Sequence, residues 1–340
     1  AEVGVRSQLR TGVRLALMHG QSLRPGPRIA LIHDFAPPPT GGGHQFLRAL
    51  MGEWKRRGIG VAVNAVPRTA EAVLFNSFNF TPALLEAAVR RARGVRVVHR
   101  VDGPLQTYRG FDDGTDARIA GYNRRYADAS VFQSAFSREE SERLGLDLRP
   151  GPILPNAADP ALFQPRAPEP PPSDRPLRVI ATSWSDNPRK GLEVFRWLDE
   201  HLDPRVAEVT FVGRIQTELR NLRHLPPCPS DELAAELRRH DVFLAASEKD
   251  PCSNSLTEAL TVGLPVAFRK SGGHPELVGE AGIGFDQPEE LPGIFEALRA
   301  GWASYRQRIA VPSIQSVAQQ YLEVLGLAGN PGPDPSLPMK

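Results

Sequence analysis

A chain of 340 residues with 41% hydrophobic side chains has enough material for two ordinary cores and too little for three. Its 41 basic and 39 acidic residues leave a net charge of only +2, which excludes a nucleic-acid binder held by bulk charge. Two cysteines, Cys228 and Cys252, lie far apart with no CxxC spacing, which argues against a disulfide framework or a zinc site and fits a reducing compartment. No apolar run approaches the ~18 residues of a membrane span, and no secretion signal is evident, so a cytoplasmic protein is expected.

In chain order, Arg6, Arg10 and Arg14 recur beside Val5, Leu9, Val13 and Leu17, the pattern of a basic amphipathic helix. Such a segment either touches an anionic membrane surface or forms a terminal extension, and the second reading is preferred. Residues 29–33 read as the first core strand. The loop Ala36 to Gly43, with Gly41, Gly42 and Gly43 at its end, leads into a helix over 44–57. A strand, a glycine loop and a helix make a turn suited to anions, although the G-x-G-x-x-G dinucleotide fingerprint is absent.

Strands follow at 60–65 and 72–75, the latter with Asn76 at its carboxyl end. Thr81-Pro82 opens a helix to about 93. A strand over 95–101 carries His99 and Arg100 and ends at Asp102-Gly103-Pro104. His99 reads more readily as a satisfied core histidine than as a ligand group; Arg100 either meets an acceptor or pairs with an acid. A helix over 116–126, a strand over 129–132 and a capping box at Ser137-x-x-Glu140 complete the half. Residues 28–150 thus alternate strand and helix, which predicts a parallel sheet.

Pro165–Pro176 reads as a linker. The second half opens with a strand over 177–182. The loop Ser183-Trp184-Ser185-Asp186-Asn187-Pro188-Arg189-Lys190-Gly191 and a helix over 192–202 follow. A strand is expected at 209–213 and a helix at 231–240. Next come a buried strand over 242–246 and the turn Ser247 to Glu258, which opens a helix ended by Gly263. Gly263 to Phe268 is a turn and another strand. Ser271-Gly272-Gly273-His274-Pro275-Glu276 is a second small-residue turn into a helix. Residues 288–309 and 313–325 read as helices, and the proline-rich tail 328–340 as disordered.

The turn at 247–258 is the most informative stretch. In parallel α/β sheets ligands bind at the carboxyl ends of strands, where helix N-termini present free N–H groups. Ser253, Asn254 and Ser255 are small enough for a ligand to approach the backbone, and Asp250 and Glu258 bracket them with seven residues between. Ser255-x-x-Glu258 also has the form of a capping box, so Glu258 has a purely structural alternative. Two successive units of this kind point to a phosphate-bearing ligand. Cys252 reads as a small loop residue, not a nucleophile.

Asp250-x7-Glu258, Ala259-Leu260-x-x-Gly263-Leu264-Pro265-Val266 and Gly272-Gly273-x-Pro275-Glu276-Leu277-Val278 resemble the donor-sugar motif of the family 4 glycosyltransferases. Pro155-Asn156-Ala157-Ala158-Asp159 leading to Phe163-Gln164-Pro165 resembles that family's interdomain segment. The resemblance covers about residues 28–325 and is stronger in the second half. It departs at three positions: Asp250 stands where the family has Glu, Ala157 replaces a glycine, and Trp184 occupies the place of a second basic residue six before Lys190.

The resemblance implies an α/β protein of the GT-B fold, with two Rossmann-like doubly wound parallel-sheet domains facing across a cleft. Its expected divisions are an extension (1–26), an acceptor-side domain (27–165), a linker (166–176), a donor-side domain (177–309), a helix crossing back (310–327) and the tail (328–340). It implies a retaining transferase that moves a sugar from a nucleoside-diphosphate sugar to a glycan, lipid or small-molecule acceptor, as in polysaccharide synthesis. Asp102, Lys190 and Asp250 would be catalytic. Gly41, Gly42, Gly43, Arg189, Lys190, Ser253, Asn254, Ser255, Leu256 and Glu258 would bind the donor, and His99, Arg100 and Asn76 are acceptor-side candidates. With no Asp-x-Asp motif, neither a metal nor another cofactor is expected. A nucleotide-sugar epimerase or hydrolase of the same fold, and a non-catalytic nucleotide-sugar binding module, remain as alternatives. No nucleic-acid partner is expected, and only the basic N-terminal segment offers a peripheral membrane contact.

Overall fold

The computed structural model describes residues 28–36, 42–91 and 94–328. The expected N-terminal helix, Gly41 and most of the proline-rich tail lie outside the described residues.

The first domain is a five-stranded, wholly parallel sheet in the order β2-β1-β3-β4-β5. Its strands are β1 (Ile29–Ile32), β2 (Val61–Val63), β3 (Ala72–Asn76), β4 (Arg96–Val101) and β5 (Ala129–Phe132). Helices α1 (Gly43–Arg56), α2 (Pro82–Arg91), α3 (Leu105–Arg109), α4 (Thr115–Tyr126) and α5 (Ala135–Arg143) connect or follow them. The strands are apolar almost throughout because helices cover both faces.

The second sheet is also parallel, in the order β11-β10-β9-β6-β7-β8. It comprises β6 (Leu177–Ser183), β7 (Ala207–Gly213), β8 (Arg223–Leu225), β9 (Val242–Ala245), β10 (Val266–Arg269) and β11 (Gly282–Phe285). Its helices are α6 (Leu192–His201), α7 (Ser230–Arg239), α8 (Asn254–Val262), α9 (His274–Val278), α10 (Leu291–Ala300) and α11 (Trp302–Gln307).

The last helix, α12 (Ile314–Val324), joins the core of the first sheet. Val317 and Tyr321 pack with Leu50 and Trp54 of α1, and the Trp54 indole N–H donates to the Ala318 carbonyl at 3.1 Å. The segment after the first domain is pinned to the second: Arg166 and Arg175 both pair with Asp241, which is 1% exposed, at 3.2 and 2.7 Å.

Two local expectations change, and two elements were not foreseen. Ser134, not Ser137, is the N-cap of α5, because its hydroxyl accepts from the Ser137 N–H; Glu140 instead meets Thr107 and Arg143. The expected helix over 288–309 is a 3₁₀ turn at Pro288–Glu290, followed by α10 and α11, which break at Gly301. The short edge strand β8 and the five-residue α3 carry too little periodicity to be read from sequence.

Both sheets reverse strand order once, between β1 and β3 and between β6 and β9. At such a switch point the loops at the carboxyl strand ends part and leave a crevice. Two glycines make the second crevice possible. Gly191 has φ 97°, and a Cβ there would come within 2.6 Å of the Ala246 side chain; Gly272 has φ 63°, and a Cβ would meet the Asp250 carbonyl at 2.4 Å.

Candidate active site at the facing strand ends

A cleft of about 460 Å³ is lined by loops from both switch points. The first domain contributes Gly42, Gly43 and His44 at the start of α1, Phe78 after β3, and Asp102 to Leu105 with Tyr108 after β4. The second contributes Ser183 to Ser185 and Lys190 after β6, Arg214 after β7, and Ser247 and Asp250 to Ser255 with Glu258 after β9. Ser77 (φ 46°) and Lys249 (φ 51°), in these loops, hold left-handed backbone that side chains usually avoid, as functional loops often do.

Lys190 reaches this cleft from the 3₁₀ turn Pro188–Lys190, where the Asn187 side chain caps the Arg189 N–H. Its ammonium donates to Asp250 Oδ2 at 2.6 Å and lies 5.0 Å from the centre of the Tyr108 ring. Burial alone would lower the lysine's pKa, but the Asp250 charge outweighs it and the pKa is raised. Burial likewise pushes the Asp250 carboxyl upward, and Lys190, with a smaller contribution from His274, brings it below the ordinary value. Both groups are therefore ionised at neutral pH.

The N-terminus of α8 faces the same space. Ser253 is its N-cap, and its hydroxyl accepts from the Leu256 N–H at 3.4 Å. Of the two readings of Glu258, the capping box with Ser255 is not formed: the cap lies two residues earlier, and Glu258 has no capping role. Leu256 itself is fully buried and its N–H is occupied, so it offers nothing to a ligand. Asn254 and Ser255 are left to supply the helix's remaining first-turn donors. Glu258 is 8% exposed and lines the cleft, and burial pushes its carboxyl up to about 8. No hydrogen bond or ion pair holds that carboxyl among the described residues.

Several candidates lie elsewhere. Arg189 does not line the cleft; its guanidinium donates to the Thr107 carbonyl and ties the two domains together. His99 is a core residue: it is stacked on Phe75 with centroids 4.1 Å apart, its Nε2 meets the Ser77 carbonyl at 3.1 Å, and its Nδ1 meets Asn123 Nδ2 at 2.9 Å. Arg100 and Asn76 are fully buried beneath the cleft floor, so neither meets an acceptor directly. Of the two readings for Arg100, pairing with an acid is the observed one, and the acid is Asp102. Asp102 does line the cleft; Arg100 and Gln133 both donate to its Oδ1.

Other lining groups were not singled out from the sequence. Arg214 stands at the carboxyl end of β7, where it donates to the Trp184 carbonyl at 3.1 Å. Gln133 and Asn156 carry the Asp102 cluster across to the second domain: Asn156 Nδ2 donates to Gln133 Oε1 at 2.9 Å and to Asn254 Oδ1 at 3.2 Å. The position of Gln133 and Arg214, each just past a parallel strand, was the available signal. Cys252 is buried and its thiol is pushed up to about 12 by burial, so it is inert. Among the described residues no group of three His, Cys, Asp or Glu is placed to hold a metal ion, and no helix is long and apolar enough to cross a membrane.

Residues 182–300 match the family described as group 1 glycosyl transferases. Among curated protein sequences none matches the chain. Solved structures similar to it include Anabaena HepE in complex with UDP, at 17% identity and a TM-score of 0.64, covering 88% of this chain and 99% of that one. Sucrose-phosphate synthase from Thermosynechococcus elongatus is 14% identical with a TM-score of 0.62, covering 90% and 95% of the two chains. A glycosyltransferase from Rickettsia africae is 12% identical with a TM-score of 0.63, covering 90% and 100%. The chain has the GT-B fold, and its second domain carries the sequence signature of the group 1 glycosyl transferases.

Proposed function

We propose that this protein is a retaining glycosyltransferase that takes a sugar from a nucleoside-diphosphate sugar. The observation that carries the reading is the convergence of Lys190, Arg214, the α8 N-terminus and Glu258 on one cleft at the switch point of the second sheet. The complex of HepE with UDP-glucose, a protein of similar fold, supports a nucleotide-sugar donor.

Breaking the anomeric C–O bond leaves negative charge on the departing diphosphate. Fixed positive potential there lowers the barrier, and such preorganised electrostatics are usually the largest catalytic contribution. Lys190 and Arg214 supply the cations, and the first-turn N–H groups of α8 supply dipoles. Glu258 bonds the two ribose hydroxyls, and Asp250, held by Lys190, accepts from a hydroxyl of the sugar. Asp102 faces them from the first domain and orients the acceptor hydroxyl. The leaving phosphate takes the acceptor's proton, so that attack comes from the same face and no enzyme nucleophile is needed. The reading needs no metal. Its acceptor, a glycan, lipid or small molecule, binds against the first domain.

The test is thermal unfolding with UDP-, GDP-, ADP-, CMP- and dTDP-sugars, followed by transfer assays and determination of the product anomer. A ligand at 100 times its dissociation constant should stabilise the fold by about 2.7 kcal/mol. Stabilisation by one nucleotide class and retention in the product are expected. Folded protein that none of these donors stabilises would overturn the reading.

A further inference from the structure

A buried chain of hydrogen bonds ends at a histidine on the first-domain wall of the cleft. His33 is fully buried at the end of β1, and its Nε2 lies 2.8 Å from Nδ1 of His44, the second residue of α1. The other nitrogen of His33, Nδ1, lies 3.3 Å from Asn76 Nδ2, and Asn76 Oδ1 accepts from the Arg100 guanidinium at 2.6 Å. All of these groups except His44 are shut away from water. None of the donor, acceptor or catalytic roles assigned above uses either histidine.

The proton order along this chain is forced. A guanidinium only donates, so Asn76 must turn its carbonyl oxygen to Arg100 and its NH₂ to His33. His33 Nδ1 must then accept, which leaves the imidazole proton on Nε2. His33 Nε2–H donates to His44 Nδ1, so that nitrogen carries no proton either. The proton of neutral His44 therefore sits on Nε2. His33 has no freedom to move out of line: its backbone N–H donates to Asn64 Oδ1 at 3.0 Å and its carbonyl accepts from Asn64 Nδ2 at 2.9 Å. Both histidines stay neutral at physiological pH. Burial, then the neighbouring His44 and Arg100, lowers His33 to about 4, and burial with Arg48 lowers His44.

We propose that Arg100, Asn76 and His33 are a positioning relay that fixes His44 as a neutral hydrogen-bond donor, with its Nε2–H directed at an oxygen of the bound nucleotide-sugar. His44 lines the cleft between Gly43 and Phe78, and its Nε2 has no partner among the described residues. The buried arginine, whose two terminal nitrogens donate to Asn76, Asp102 and Asn156, acts through the histidines and never touches the ligand. A neutral donor suits this wall. It binds an oxygen that carries lone pairs without adding a second full charge beside Asp102, and it donates with the same geometry before and after the anomeric bond breaks. The inference rests on the nucleotide-sugar reading for its ligand, but the proton order does not.

Two measurements separate these parts. Nitrogen-15 spectra of the histidine-labelled full chain, with the His44→Gln spectrum for assignment, should show His33 and His44 both protonated at Nε2 and bare at Nδ1. A proton on Nδ1 of His44 overturns the relay, whatever the protein binds. Titration with UDP and with UDP-glucose is the second measurement. His44→Leu, which removes the donor, should weaken binding about tenfold, the effect of one lost hydrogen bond, whereas His44→Gln, which keeps an N–H in the Nε2 place, should stay within about threefold. Equal losses for the two probes locate the ligand oxygen on the nucleotide that they share, and a loss for UDP-glucose alone locates it on the sugar. Wild-type affinity of His44→Leu for both probes overturns the contact. If the wild type binds neither probe, the titration is run with the nucleotide and sugar of the class that stabilises the fold; failure to bind any of the five classes overturns the nucleotide-sugar reading, and the His44 contact with it, while the spectra still decide the relay.

Discussion

Lys190 and Asp250 form an ion pair across the floor of the cleft, with Nζ 2.6 Å from Oδ2. One partner comes from the loop after β6 and the other from the loop after β9, so the pair locks the two loops of the switch point together. We predict that Lys190→Ala lowers sugar transfer at least about tenfold, roughly 1.4 kcal/mol of transition-state stabilisation. Unchanged turnover in this variant would remove Lys190 from the chemistry.

The same pair makes a stability prediction. Asp250 is depressed below 3.8, so its contribution is present above that value and is lost as pH falls through the folded-state pKa. Lys190 is raised above 10.5, so its contribution is present below that value and is lost as pH rises through the folded-state pKa. Lys190→Met should therefore be less stable than wild type by an amount that shrinks toward acid pH, because without the lysine burial raises the Asp250 pKa and the unpaired carboxyl takes up a proton. About 1–3 kcal/mol is expected, because Asp250 is left unpaired while the lysine was partly solvated. Denaturant titrations at pH 5, 7 and 9 check the sign; a deficit larger at pH 5 than at pH 9 contradicts it.

Glu258 works in the opposite sense. Its carboxyl is raised from 4.5 to about 8, so between those values the folded protein keeps a proton that the unfolded chain has released. Stability from this group therefore falls as pH rises from about 4.5 to 8 and is constant above. Glu258→Gln has no such term. It should match wild type near pH 4.5 and exceed it above pH 8 by ~1–3 kcal/mol, the shift being discounted because the carboxyl opens on a solvated cleft. Above pH 8, where Glu258 is ionised, the same variant should bind a nucleotide more weakly, since an amide offers one acceptor oxygen where a carboxylate offers two to the ribose. Melting curves of both proteins across pH 4.5–9 test the sign.

What the sequence disclosed follows from what periodicity encodes. The turn at 247–258 could be read because an apolar strand, a cluster of small residues and a helix stand in succession, and parallel sheets put ligands at that junction. The role of Glu258 was left between cap and ligand group, since Ser253 and Ser255 both precede a helical pattern; only the Leu256 N–H, 3.4 Å from the Ser253 hydroxyl, decides which caps. Arg189 was not separable from Lys190, because adjacent residues in a 3₁₀ turn point in different directions and one of them reaches Thr107. Asn156 meets Asn254 across 98 positions of sequence, a contact that no local pattern carries.

Arg214 bears on the departure at Trp184. The resemblance places a basic residue there, whereas this chain puts an arginine at the end of the adjacent strand β7, bonded to the Trp184 carbonyl. We predict that Arg214→Ala weakens binding of the diphosphate nucleotide about tenfold at low salt and less at high salt, since the side chain is exposed and its attraction is screened. Trp184→Arg in that background should recover part of the loss. Calorimetric titration of the donor nucleotide at two salt concentrations is the measurement, and equal affinity of Arg214→Ala and wild type would contradict the assignment.

The domains are also held by a cap that crosses between them. Glu276, one residue past the proline of α9, accepts from the N–H groups of Ala135 at 2.8 Å and Phe136 at 3.1 Å. Those amides are the first two of α5, a helix of the other domain, and a carboxylate there meets both the orphan donors and the positive end of the helix dipole. Ser134 satisfies only the Ser137 N–H, so the two caps are complementary, one intrinsic to the first domain and one lent by the second. Removing the lent cap should therefore cost stability and loosen the domain contact while leaving α5 itself folded. We predict a loss of ~0.5–1.5 kcal/mol for Glu276→Ala, at the modest end for a cap because the carboxylate is exposed, and faster hydrogen exchange at Ala135 and Phe136 but not at Ser137. Exchange that quickens equally at all three amides would mean that α5 unravels as a unit. Exchange unchanged at all three would mean that water replaces Glu276 without consequence for the domain contact.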